Sequence, residues 1–124
     1  MEAKELMKYK NWAVAGDVLN SSKYAYKILN RLTEAGYNVR GVNPKDDQGA
    51  VCKSLKEVPF EVEVLDLCIH PSKGIDIVKQ AKGLGIKNVL IQPGAESEDI
   101  LSFCRENEIT AIEGCALVEL SRLE

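Results

Sequence analysis

The sequence is poor in the residues on which most protein chemistry depends. It has one histidine, His70, one tryptophan and four cysteines, Cys52, Cys68, Cys104 and Cys115, with no C-x-x-C pair. Such scattered thiols and a single imidazole cannot assemble a zinc set, and a small secreted scaffold would be denser in cysteine. Reduced thiols and no metal are expected. No apolar run approaches the ~20 residues that span a bilayer, and the opening "MEAKELMKYKN" lacks the apolar stretch of a signal peptide. Like charges form no block, and a net charge of −3 points neither to nucleic acid nor to an anionic membrane as partner. A cytoplasmic protein is the expectation.

What remains is an ordinary globular composition, 45% hydrophobic and 28% charged, in a chain of 124 residues, long enough for one domain with one real core. Strand and helix patterns alternate. Strands are predicted at Trp12–Ala15, Tyr37–Val42, Val64–Ile69, Asn88–Gln92 and Thr110–Glu113, the interiors apolar on both sides. Helices are predicted over Lys23–Ala35, from Pro71, over Ser97–Asn107 and after Cys115. The Pro71 helix carries Ile75, Ile77, Val78, Ala81 and Leu84 on its apolar side. Ser21 or Ser22 suits the start of the first helix and Gly36 its end. "DDQGAVCKSLKEVP" reads as a turn, a short strand near Val51 and a short helix with Ser54 and Glu57 at capping-box spacing. Strands joined by crossover helices mean an α/β fold: residues 1–124 as one Rossmann-like three-layer domain with a five-stranded parallel sheet.

In such sheets ligands bind beyond the carboxyl ends of the strands, near the point where strand order reverses. The first such loop, "GDVLNSSKY", offers Gly16, the hydroxyls of Ser21 and Ser22, Lys23 and the free amides of a helix start, groups that suit a phosphate. It has one glycine where a dinucleotide fingerprint has three, with Val18 and Ser21 at the later positions. A plain strand-to-helix turn would look the same. The second strand ends in Asn43-Pro44-Lys45, where a domain for NAD would place an acid. Lys45 favours an additional phosphate near the ribose, which both NADP and coenzyme A carry, although solvated turn lysines are common. His70 has no acid or nucleophile beside it in sequence and is read as a helix cap or a cleft residue. Cys68 is read as core. Cys115, just before a helix, is either a packed thiol or a reactive one. No catalytic constellation emerges.

Four segments in order, "GYNVRGVNPK", "SLKEVP", "IQPGAESE" and Cys115 with Glu119, give the chain a family likeness. It resembles the small Rossmann-type CoA-binding proteins of bacteria and archaea, which are similar to the CoA-binding domain of the succinyl-CoA synthetase α subunit. The resemblance covers about Trp12 to Leu120. It implies a phosphate loop at Gly16, Asp17, Val18, Ser21 and Ser22, with Lys23 and Tyr24 at its far side. It implies Asn43, Pro44 and Lys45 beside the ribose phosphate and adenosine, and His70, Pro71 and Ser72 bordering adenine or diphosphate. Ile91, Gln92, Pro93 and Gly94 would border the pantetheine arm, with Cys115 close to the cleft. Asp17 and Val18 stand where the family has a small residue followed by serine, and an inward Asp17 would repel a diphosphate.

The function expected from these readings is non-catalytic binding of CoA or an acyl-CoA. The alternatives are a redox protein dependent on NADP or on a CoA disulfide, and a regulatory domain with a degenerate nucleotide cleft. The apolar residues Leu117, Val118 and Leu120 suit packing or a homodimer or partner-protein contact equally well.

Overall fold

The computed structural model describes residues 2–46 and 49–123. Asp47 and Gln48, in the predicted turn, lie outside the described residues. The elements, in order, are α1 (Ala3–Leu6), β1 (Asn11–Gly16), α2 (Tyr24–Glu34), β2 (Asn38–Val42), a 3-10 turn at Leu55–Glu57, and β3 (Val64–Cys68). Then come α3 (Pro71–Gly83), β4 (Asn88–Ile91), α4 (Glu98–Glu106), β5 (Thr110–Glu113) and α5 (Ala116–Arg122). The five strands form one all-parallel sheet in the order β2-β1-β3-β4-β5, the α/β Rossmann-like architecture expected from the alternation of patterns. Chain order reverses between β1 and β3, so the loops after these strands diverge and open a crevice there.

The period-two alternation of the strands sorts the core into two layers. Ala13, Ala15, Leu65, Leu67, Val89 and Ile91 face α3 and α4, against Ile77, Val78, Ala81, Ile100 and Cys104. Trp12, Val14, Val64 and Leu90 face the other way, against Leu6, Ile28, Leu32, Ala116 and Leu120 from α1, α2 and α5. The central strands are buried on both faces and the edges less so: β2 exposes Asn38 and Arg40, and β5 exposes Thr110 and Glu113. The interiors are not wholly apolar, because Asp66 of β3 is completely buried. Among the described residues no helix is long and apolar enough to cross a membrane.

Several local expectations need correction. The first helix has no serine cap: Lys23 is its N-cap with no side-chain bond, because Ser22 turns back to Asn20 through both its N–H (3.1 Å) and its hydroxyl (2.7 Å). The short strand near Val51 is a single bridge between Val42 and Cys52. The predicted short helix is one 3-10 turn, where the Ser54 hydroxyl donates to the Glu57 carboxylate (3.2 Å) and its oxygen accepts no capping bond from a backbone N–H. Leu84 falls just past the end of α3 and is half exposed, whereas Ile77, Val78 and Ala81 are buried as their spacing predicts. Helix α1 was not foreseen. It forms because Leu6 and Met7 close the core beneath Trp12, whose indole N–H donates to the Tyr9 carbonyl (2.8 Å).

Glycine is required where backbones meet. A Cβ on Gly16 would lie 2.2 Å from the Cys68 carbonyl oxygen of β3 and 2.9 Å from Cβ of Ala25 in α2, so this glycine lets strand and helix close together. A Cβ on Gly114 would lie 3.1 Å from Cβ of Ala3, which seats α1 against the loop after β5. Gly16→Ala is expected to cost about 1–3 kcal/mol as an overpacked contact. Urea unfolding checks this: the midpoint should fall with little change in slope.

Candidate functional site

The loops beyond the strands' carboxyl ends form two adjacent hollows. The first, a cleft of about 700 Å³, is lined by Asp17 after β1, Asn43, Pro44 and Lys45 after β2, and Ile69, His70, Ser72 and Lys73 after β3. It lies at the reversal point between β1 and β3. The second, a slot of about 420 Å³, is lined by Tyr24, Cys68, Gln92, Pro93, Cys115, Leu117 and Val118, beyond β3, β4 and β5.

The cleft is edged by polar side chains and its parts are held in place. The Asn43 side-chain oxygen accepts from the Lys45 N–H (3.0 Å), a tight turn that presents Lys45 outward. Below it the buried Asp46 carboxylate accepts from the Val51 N–H (2.9 Å), fixing the loop's return. His70 is the N-cap of α3: its Nδ1 accepts from the Ser72 N–H (3.1 Å) and faces the Ser72 hydroxyl (2.9 Å). An accepting Nδ1 places the ring proton on Nε2. His70 therefore both caps and lines the cleft. Lys45 and Lys73 are exposed cations at the rim, and Asp17 is the one carboxylate among the described residues that line it. The start of α2, whose first residue Tyr24 lines the slot, has no side-chain cap, an arrangement that favours an anion.

Other residues singled out from sequence fall elsewhere. Ser21, Ser22 and Lys23 lie in the exposed turn that leads from Asp17 to α2. Val18 is buried against Gly41, where an added Cβ would lie 2.8 Å from a Val18 methyl, and Ile91 is buried among the α3 and α4 residues. Gly16 is packed as described above, and Pro71 opens α3. Gly94 is exposed past the slot, its N–H donating to the Glu96 carboxylate (2.8 Å). Tyr24, Gln92, Pro93 and Cys115 meet in the slot rather than in the cleft.

The slot's floor is the least conventional part of the molecule. Asp66 sits in the centre of the sheet, its carboxylate bound by the Gln92 side-chain amide, while its second oxygen has no partner among the described residues. Burial pushes the Asp66 carboxyl up to about 7, against the opposing pull of the Gln92 bond. Cys68, half-buried at the end of β3, is pushed up to about 12, first by burial and then by the neighbouring Asp66 and Cys115. Cys68 packs against the core, as read from sequence, and also reaches the slot. Sequence reasoning also missed Ile69 and Lys73 on the cleft, and Asp66 beneath the slot. An acid inside the apolar run "VLDLCI" was the available signal for Asp66.

A model of a known family, described as a CoA binding domain, matches residues 10–121. The chain belongs to this CoA-binding family. Among solved structures it is similar to a conserved hypothetical protein from Pyrococcus furiosus, at 35% identity over 90% of this chain and 99% of that one, with a TM-score of 0.80. A hypothetical protein from Pyrococcus horikoshii is 30% identical over 95% of this chain and 86% of that one, with a TM-score of 0.85. A Thermus thermophilus protein is 25% identical over the whole of both chains, with a TM-score of 0.83. Among curated proteins none matches the chain. Family membership supports CoA binding in general.

The buried Asp66 has a consequence for stability. Its folded-state pKa of about 7 lies above the ordinary carboxylate value of about 3.9. The folded state thus holds a proton that the unfolded chain releases, and this contribution is full below pH ~4 and lost as pH rises to ~7. Denaturant titrations from pH 4 to 7 should show stability falling, at most by about 1.4 kcal/mol per unit, from this group. Asp66→Asn is expected to flatten that part of the profile.

Proposed function

We propose that the chain binds coenzyme A or an acyl-CoA along the carboxyl edge of its sheet, as a binding module with no chemistry on the acyl group. The phosphorylated adenosine occupies the cleft, and the pantetheine arm runs across the strand ends into the slot. The observation that carries this reading is the pairing of a cationic cleft with an adjoining apolar slot on one edge. A dinucleotide has two polar halves, whereas CoA has one polar half and one long, weakly polar arm.

The separation of the two hollows fits the ligand. From β1 to β4 or β5 is two to three strand spacings, roughly 10–14 Å. The pantetheine arm has about as many bonds as four residues of extended chain, which reach roughly 14 Å. Lys45 and Lys73 supply positive charge for the 3′-phosphate and diphosphate, aided by the uncapped start of α2. Asp17 opposes them, so it sets an upper limit on affinity. Gln92, tied through its nitrogen to Asp66, presents its carbonyl oxygen for an amide of the arm.

Calorimetric titration with CoA, acetyl-CoA, dephospho-CoA, NADP and ADP tests the reading. CoA is expected to bind more tightly than dephospho-CoA, and NADP not to compete. Lys45→Ala should weaken CoA by about two- to fivefold, the range of an exposed ion pair, and leave dephospho-CoA nearly unchanged. Asp17→Asn should strengthen CoA. Tighter binding of NADP than of CoA would overturn the assignment.

A further inference from the structure

We propose that the slot is a thiol–disulfide exchange site, in which Cys115 takes up CoA as a mixed disulfide from a CoA disulfide. The inference rests on the CoA reading above and concerns the far end of the same ligand. If the adenosine lies in the cleft, the arm's length brings its sulfur to the slot. There the wall holds two of the four cysteines, Cys68 and Cys115, whereas Cys104 is buried elsewhere and Cys52 lies beside β2.

The two thiols are not equivalent. Cys68 lies at the end of β3, close to Asp66, and its thiol is held protonated by burial and by those neighbours. Cys115 sits in the loop between β5 and α5, half-buried, with no capping hydrogen bond from its side chain. Cys68 is fixed at the end of a sheet strand and Cys115 stands on the loop that borders the slot, so Cys115 is assigned as the nucleophile and Cys68 as the bystander. The slot also carries a polar guide. Gln92 is 3% exposed, its nitrogen is committed to Asp66, and its side-chain oxygen accepts no hydrogen bond among the described residues. That oxygen is positioned to accept from the last amide N–H of the arm, one short link from the sulfur. Tyr24, Pro93, Leu117 and Val118 give the slot a largely apolar wall around that position.

The step balances without any further oxidant. Cys115 loses its proton to solvent, and its sulfur attacks the nearer sulfur of CoA–S–S–CoA. A Cys115–CoA bond forms as the ligand's disulfide breaks, and the departing CoA thiolate takes up a proton. The protein thiol is oxidised and one CoA is reduced. Because Cys68 stays a thiol, it does not displace the bound CoA, so the adduct accumulates instead of passing to an internal disulfide.

The reduced chain is mixed with CoA disulfide or, separately, glutathione disulfide, and adducts are followed by intact mass and located by peptide mapping. The expected product is one CoA per chain, on Cys115, formed about tenfold or more faster than the glutathione adduct because the arm is pre-positioned. Cys115→Ser should abolish it, Cys52→Ser should not, and dithiothreitol should release it. Equal rates with the two disulfides, an adduct mapped to Cys52 or Cys68, or an internal Cys68–Cys115 disulfide would each overturn the proposal. Mapping of the unmodified chain's adduct decides the matter even if the serine variant does not fold. Calorimetry with reduced CoA separates the two readings: binding without adduct formation sinks only the exchange, whereas no binding sinks the CoA site itself.

Discussion

Parallel pairing is the constraint from which the rest of the structure follows. Each strand must return to the same end before the next begins, by a helix everywhere except between β2 and β3, where the connection carries only the 3-10 turn, and every carboxyl end lies on one edge. The polar loops are thereby gathered without any of them being specialised. With β1 flanked by β2 on one side and β3 on the other, the loops of β2 and β3 part over it, and a cleft exists before any side chain is chosen. The chemistry of the site is then set by which residues happen to begin each loop: a lysine after β2, a histidine cap after β3, a glutamine after β4 and a cysteine after β5.

The cost of this arrangement is burial on both faces, and the sheet meets it almost everywhere with Val, Leu, Ile and Ala. Asp66 is the exception. A carboxyl in that position can persist only because Gln92 satisfies one oxygen and because burial keeps a proton within reach of the other. The pair ties the middle of β3 to the residue that closes β4. It also fixes which end of the Gln92 amide is turned outward, so a group inside the sheet determines the polarity shown to a ligand outside it.

The architecture was legible because its signals are local and repeated. Apolar runs ending in Gly16, Pro44, Pro71 and Pro93 marked the strands, and stripes such as Ile77, Val78 and Ala81 marked the helices. The family was legible from four modest segments in order. What was not legible depended on tertiary partners. Helix α1 is too short for propensity to report and exists because Leu6 and Met7 cover Trp12. The serine cap failed because Asn20 reaches Ser22 first. Cys68 looked like core alone because strand periodicity does not tell where a strand emerges from its cover. Val18 looked like a ligand residue because its loop does touch the cleft, yet its own side chain fills the space left by Gly41.

The contact between Ala3 and Gly114 joins parts of the chain that sequence places far apart. The glycine immediately precedes Cys115, and its missing side chain is the seat for α1. The first turn of the protein is therefore a buttress of the thiol loop, carried on a helix of only four residues. The seat of this short helix thus adjoins the loop that carries Cys115, whereas no residue of α1 lines the cleft among the described residues.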